Sequence, residues 1–151
     1  MYKNQWGASD FDSMSWHDVH VYGFRLTDVK PDYGTADIIF DIDYILEWIN
    51  VGQGFTFAVA QASLRFHEAS DLRFSLDYKG PTAGMCPFSL AGIERRIITY
   101  LTGVQSFEWE IDINWPTGKI EFEAPTFTQV LVGPIHTQPG QSLAPGQRTY
   151  S

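Results

Sequence analysis

Hydrophobic and polar residues alternate with a period of two over much of the chain, most clearly in residues 35–48. The even positions of this segment are apolar, whereas the odd positions from 37 onward carry acids or isoleucine. Successive side chains of a β-strand point to opposite faces, so the pattern predicts one long strand with an apolar face and a largely acidic, solvated face. The apolar set is Ala36, Ile38, Phe40, Ile42, Tyr44, Leu46 and Trp48, and the acids are Asp37, Asp41, Asp43 and Glu47.

A second alternating segment, residues 108–124, is interrupted by the turn-forming residues Pro116–Lys119. If Trp115 faces Ile120 across this turn, the other apolar residues also face one another, which predicts a β-hairpin with a defined register. In that register Asp112 lies opposite Glu123. The polar face of the hairpin then carries a compact acidic patch of Glu108, Glu110, Asp112, Glu121 and Glu123.

Shorter alternating segments extend the β prediction to the rest of the chain. They lie at residues 16–26, 55–66 and 72–78, and glycine or proline separates most of them from their neighbours. Six or seven strands with short connections are typical of an antiparallel sandwich or barrel. The sequence therefore predicts a mainly β protein of that architecture.

Residues 87–103 allow two interpretations. Apolar residues recur there at spacings of three and four, which favours a short helix. The consecutive residues Ile97–Tyr100 are all β-branched or aromatic and favour an extended segment instead. We take the helix as the prediction and the strand as its alternative.

The composition changes after residue 132. Residues 133–151 are rich in Pro, Gly, Gln, Ser and Thr, and they contain few large apolar side chains that could offset the entropy lost on ordering. The sequence therefore predicts one β-rich domain over residues 1–132, followed by a flexible C-terminal tail over residues 133–151.

Length and charge limit the classes of function. With 151 residues, the chain is long enough for one domain with its own core. Its net charge of -8 argues against unaided binding of nucleic acid or of an anionic membrane surface. A single cysteine, the absence of a signal-like segment in residues 1–15 and the absence of a long apolar run predict a cytoplasmic protein without disulfides.

The densest group of chemically active side chains is Trp16-His17-Asp18-Val19-His20. On a strand, Asp18 and His20 share a face, so the carboxylate could orient the imidazole and raise its basicity. His17 would point the other way, so the two histidines would not chelate one metal ion. Asp18 and His20 are therefore the candidate catalytic pair, and a structural ion pair is the alternative.

The acidic residues supply the candidate binding sites. Asp41 and Asp43 lie two residues apart on one strand face and can share a cation or a proton. The hairpin patch can attract a basic partner, or it can simply keep a sheet surface soluble. No regular metal-binding or phosphate-binding motif is present, so we predict neither a metal nor a cofactor. Trp48, Trp109 and Trp115 occupy apolar positions of their strands and are predicted to be core residues.

Four short segments resemble a family of small bacterial proteins of unknown function. They are Trp16-His17-Asp18, Asp41-Ile42-Asp43-Tyr44-Ile45-Leu46-Glu47-Trp48, Asn114-Trp115-Pro116 and Phe127-Thr128-Gln129, and the resemblance covers about residues 14 to 132. It implies a bacterial, cytosolic origin. The family supplies no functional residues to carry over.

Three functions stay open at this level. The first is a non-enzymatic interaction domain, such as an immunity or antitoxin-like factor, that engages a basic protein through its acidic sheet face. The second is a small-molecule binder with its cavity inside a β-barrel. The third is a hydrolase or lyase that uses His20 with Asp18. We favour the first, because no complete catalytic motif is recognisable.

Overall fold

The alternating segments form a single antiparallel sheet in the computed structural model, which describes residues 2–79 and 84–149. Two short 3-10 turns, Ala8–Ser13 and Pro145–Gln147, complete the regular structure of these residues. The prediction of a mainly β, antiparallel protein is confirmed. In chain order the strands are β1 (Gln5–Gly7), β2 (His20–Lys30), β3 (Thr35–Asn50), β4 (Phe55–Leu76), β5 (Phe88–Thr99), β6 (Gln105–Trp115), β7 (Gly118–Ala124), β8 (Thr126–Leu131) and β9 (His136–Gln138).

The long strand β4 closes the sheet into a ring. Its first part pairs with β3 on one edge and with β8 and β9 on the other, whereas residues 70–76 pair with β7. The change of partner falls near Glu68 and Asp71, whose φ angles of 51° and 55° interrupt the extended backbone. Such irregularities bend a strand and increase its twist. The ring runs β4-β3-β2-β5-β6-β7 and back to β4.

The core fills the inside of this ring. The even-numbered apolar residues of β3 point inward, as predicted, and Ile38, Phe40 and Ile42 are buried. Trp109 is 1% exposed, which confirms its predicted place in the core. The same prediction is wrong for Trp48 and Trp115, which are 40% and 48% exposed, because both lie near the ends of their strands.

Residues 87–103 contain a strand, so the predicted helix is wrong. β5 pairs with β6 from Ser89 to Thr99, and the pairing skips a residue between Leu90 and Gly92. This bulge shifts the alternation, so that Leu90 and Ile93 both face the core although they are three residues apart. The bulge therefore reproduces in a strand the spacing that is typical of a helix.

The predicted hairpin of β6 and β7 is present, but its register differs. Ile111 lies opposite Ile120 and Ile113 lies opposite Gly118, four residues away from the predicted partner of Ile113. Because the register differs from the predicted one by an even number of residues, each side chain still lies on the predicted face of the sheet. Gly118 belongs to the strand rather than to the turn, because it packs against β4 so closely that a Cβ there would lie 2.4 Å from the Ser75 carbonyl oxygen.

The segment after residue 132 lies on the sheet, where the sequence predicted a flexible tail. β9 pairs with β4, and residues 139–149, which we call the strap, cross the polar side of the sheet. Leu143 and Arg148 are 3% and 6% exposed. The composition of this segment indicates too little apolar surface for such packing. The Arg148 side chain instead provides much of the contact, through its ion pairs with Asp41 and Asp43. Residues 150 and 151 lie outside the described residues.

Among the described residues, no helix has the length and apolar character needed to cross a bilayer.

Candidate functional site

Asp41 and Asp43 lie beneath the strap. Both belong to the face of β3 that the sequence predicted to be solvated, yet Asp43 is fully buried. Its carboxylate forms an ion pair with Arg148 and accepts a hydrogen bond from the Leu143 backbone N–H at 2.8 Å. Arg148 Nη2 also lies 2.6 Å from Asp41 Oδ2. The prediction of a solvated face is wrong at Asp43, because the strap covers it and supplies its counter-ion, whereas the Asp41 side chain remains 34% exposed.

Further contacts besides the ion pair hold the strap in place. The Arg148 guanidinium lies 3.7 Å from the centre of the Tyr22 ring, a favourable cation–π distance. The Gln61 side chain accepts a hydrogen bond from Thr149 N at 2.7 Å and donates one to Thr149 O at 2.8 Å. Asp41 and Asp43, two of the predicted binding residues, thus bind an arginine of their own chain.

Asp18 does not form the predicted pair with His20. Its φ of 63° places it in the left-handed region, and β2 begins only at His20, so strand alternation does not apply to Asp18. The Asp18 carboxylate accepts hydrogen bonds from Asn114 Nδ2 at 3.2 Å and from Gln141 Nε2 at 3.0 Å. The nearest imidazole nitrogen is Nε2 of His17, at 3.6 Å.

His20 lies opposite Asp43 in the β2–β3 pairing. Burial lowers the pKa of His20, and the nearby Asp18 raises it by a smaller amount. Within the described residues, His20 Nδ1 is buried without a hydrogen-bond partner. Strand pairing and the strap thus bring four of the predicted site residues into one region: Asp18, His20, Asp41 and Asp43. The strap residues Gln141, Leu143 and Arg148 occupy the same region and contact these aspartates.

A second polar surface covers the outside of β4–β7. We call it the acidic face, defined by Glu94, Glu108, Glu110, Asp112, Glu121 and Glu123 with the bases Arg73, Arg96 and Lys119. Glu94 of β5 lies opposite Glu110 of β6, which lies opposite Glu121 of β7. Three like charges in one row across three strands oppose folding.

Basic side chains offset part of this repulsion. Arg73 pairs with Glu121 at 2.7 Å, and Arg96 pairs with Glu108. Lys119 lies 3.3 Å from Glu110 and 3.8 Å from Glu121. The face still carries six carboxylates and three bases, which leaves it with a net negative charge.

Glu94, Glu110 and Asp112 approach one another most closely. Each offers a carboxylate oxygen within 4.8 Å of the others. Burial and the neighbouring Glu110 raise the pKa of Asp112. Exposed acids often cluster without binding an ion, so this spacing does not by itself indicate a metal centre. Beside the cluster lies a hollow of about 340 Å³. It is lined by four carboxylates and three arginines together with Trp109: Glu94, Glu108, Glu110, Glu121, Arg73, Arg95 and Arg96.

A third polar group was not recognised in the sequence. Asp37 of β3 is 6% exposed, and its Oδ2 lies 3.3 Å from His67 Nδ1. His67 Nε2 lies 2.9 Å from Thr128 Oγ1. Alternation predicts Asp37 only as one acid of a solvated face, and no sequence spacing connects the three residues. Pairing of β4 with β3 and β8 brings them together.

No protein-family model matches this chain, and no curated protein matches it.

Proposed function

We propose that the protein is an interaction domain that binds a basic protein partner through the acidic face. The observation that carries the proposal is the row Glu94-Glu110-Glu121, which lines the hollow of about 340 Å³ with carboxylates on three adjacent strands. A lysine or arginine side chain of a partner would relieve the repulsion along this row while it fills the hollow.

The internal ion pairs also bear on this function. Arg73 and Arg96 lie at opposite sides of the row and neutralise Glu121 and Glu108, whereas Glu94 and Asp112 form no ion pair within the described part of the chain. Charge without an ion pair therefore lies at Glu94 and Asp112, close to Glu110, which pairs with Lys119 at 3.3 Å. Complementary charge at an interface accelerates association and selects partners by the sign of their charge. An immunity or antitoxin-like factor for a basic protein is one role that fits.

Binding to a fluorescein-labelled oligoarginine peptide, measured by fluorescence anisotropy, tests the proposal. The variant with Glu94→Gln, Glu110→Gln and Asp112→Asn should raise the Kd by about tenfold or more, equivalent to about 1.4 kcal/mol. A matched control, with Asp12→Asn, Asp32→Asn and Asp77→Asn, removes three exposed acids elsewhere and changes the net charge equally. Equal weakening by both variants would show attraction to net charge alone and would overturn the proposal.

The repulsion between Asp112 and its acidic neighbours Glu94 and Glu110 should lower the stability of the fold. Asp112→Asn should raise the free energy of unfolding by a few tenths of a kcal/mol at pH 7 and low ionic strength. Because the pKa of Asp112 is raised in the folded state, the folded chain holds this proton to a higher pH than the unfolded chain does. The contribution of Asp112 to stability therefore falls as pH rises from about 3.9.

Urea unfolding at pH 7 and pH 3 measures this difference. The gain from Asp112→Asn should be present at pH 7 and should shrink at pH 3, where the carboxyl is protonated in both states. Asp12→Asn, at an exposed position away from the acidic face, serves as the control and should change little at either pH. A loss of stability on Asp112→Asn at pH 7 would contradict the assigned repulsion.

A further inference from the structure

The group Asp37, His67 and Thr128 has the connectivity of a nucleophile, a base and a carboxylate that orients the base. The Thr128 hydroxyl lies 2.9 Å from His67 Nε2, and His67 Nδ1 lies 3.3 Å from Asp37 Oδ2. The three side chains come from three adjacent strands, β8, β4 and β3. A paired sheet fixes their relative positions more firmly than loops would.

Asp37 is held in its charged form. Burial raises the pKa of Asp37. The Glu68 backbone N–H and the Arg65 guanidinium lower it by a larger amount, so that the pKa of Asp37 lies below its usual value. Glu68 N donates to Asp37 Oδ1 at 2.9 Å, and Arg65 Nε donates to Asp37 Oδ2 at 2.7 Å. A carboxylate beside Nδ1 favours the His67 tautomer that carries its proton there, which leaves Nε2 free to accept the proton of the Thr128 hydroxyl.

A cavity of about 550 Å³ adjoins this group. Its lining includes Asp37, His67, Thr126 and Lys30, whereas Thr128 adjoins it only through its contact with His67. Asp28 and Glu68, which also line it, have φ angles of 47° and 51°. Left-handed backbone at non-glycine residues costs free energy and is found preferentially at functional sites. The cavity falls in the usual size range of small-ligand sites, and its lining cation, Lys30, pairs with Glu68 at 3.3 Å.

We propose that Thr128 is an acyl-accepting nucleophile for small esters, with His67 as its base and Asp37 as the positioning residue. Thr128 Oγ1 forms a bond to the ester carbonyl carbon while His67 Nε2 takes the hydroxyl proton. The bond between that carbon and the alcohol oxygen then breaks, and His67 returns the proton to the departing alcohol. Water, deprotonated by His67, cleaves the acyl-threonine to a carboxylic acid and restores the hydroxyl.

Hydrolysis of p-nitrophenyl acetate by the whole protein tests this activity, with the acetyl adduct located by peptide mass spectrometry. The rate of p-nitrophenol release should fall about 100-fold in Thr128→Val and in His67→Gln, whereas Thr128→Ser should retain it. Thr99→Val changes an exposed threonine on β5, outside this group and its cavity, and should leave the rate unchanged.

The adduct decides the result even if a variant fails to fold. Acetylation of Thr128 in the wild-type protein supports the proposal. Acetyl groups found only on lysines, or a rate that Thr128→Val and Thr99→Val change equally, overturn it. The variant with Glu94→Gln, Glu110→Gln and Asp112→Asn should keep full esterase activity, so this inference and the proposed partner binding fail or succeed separately.

Discussion

Arg148→Met should reduce the free energy of unfolding by about 3 to 5 kcal/mol, the largest loss expected from a change in the strap. The substitution keeps most of the side-chain volume but leaves Asp43 as a fully buried carboxylate without its counter-ion. It also removes the cation that lies against Asp41 and Tyr22. Natural domains are stable by only about 5 to 15 kcal/mol, so the variant should unfold at a much lower urea concentration.

Arg96→Met is the matched control for this measurement. Arg96 pairs with Glu108 on the surface, where its side chain is 77% exposed, and loss of an exposed pair changes stability by at most about 1 kcal/mol. The double variant Asp43→Asn with Arg148→Met should lose less unfolding free energy than the sum of the losses in the two single variants. Each single change leaves one buried charge without a partner, whereas the double change leaves none. Equal losses for Arg148→Met and Arg96→Met would contradict the buried pairing.

Trp109→Ala should also reduce the free energy of unfolding by about 3 to 5 kcal/mol, for a different reason. The Trp109 ring is almost fully buried, and its centre lies 5.0 Å from that of Phe66 and 5.6 Å from that of Phe127. The indole N–H donates to the Ala124 carbonyl oxygen at 2.9 Å. Truncation leaves a large cavity where several aromatic rings meet and leaves that carbonyl without its donor.

Trp48→Ala and Trp115→Ala separate burial from residue type. Both tryptophans occupy apolar positions of alternating strands, but both are more than a third exposed. Each truncation should therefore cost less than half as much as Trp109→Ala in the same urea experiment. If Trp48→Ala were as costly as Trp109→Ala, the centre of the core would lie elsewhere.

The comparison of these tryptophans shows how far alternation alone predicts the fold. Alternation correctly gives the strand type of β3 and β6, and it gives the side of the sheet on which Trp109 lies. It carries no information about the depth of a residue along its strand, so it treats Trp48 and Trp109 alike. It also fails at a bulge, as between Leu90 and Gly92, where one unpaired residue converts a period of two into an apparent helical spacing.

The candidate sites depend on contacts that no local pattern encodes. Alternation along β3 alone predicts a solvated Asp43. Its partner Arg148 lies 105 residues later, in a segment whose composition predicts flexibility. Likewise, His67 lies 30 positions from Asp37 and 61 from Thr128, and only the strand order brings them together. The acidic hairpin was recognisable because its residues are neighbours in sequence. Its neutralisation by Arg73 and Arg96 was not, because those bases lie on β4 and β5.

The buried pair beneath the strap constrains how the sequence can diverge. A related sequence that loses Arg148 alone retains the buried Asp43 carboxylate without a counter-ion. A sequence that loses Asp43 alone leaves the buried guanidinium without its main carboxylate partner. The two positions should therefore vary together, so that an apolar residue at one accompanies an apolar residue at the other. In an alignment of relatives, such covariation over a separation of 105 residues would identify those that share the closed strap.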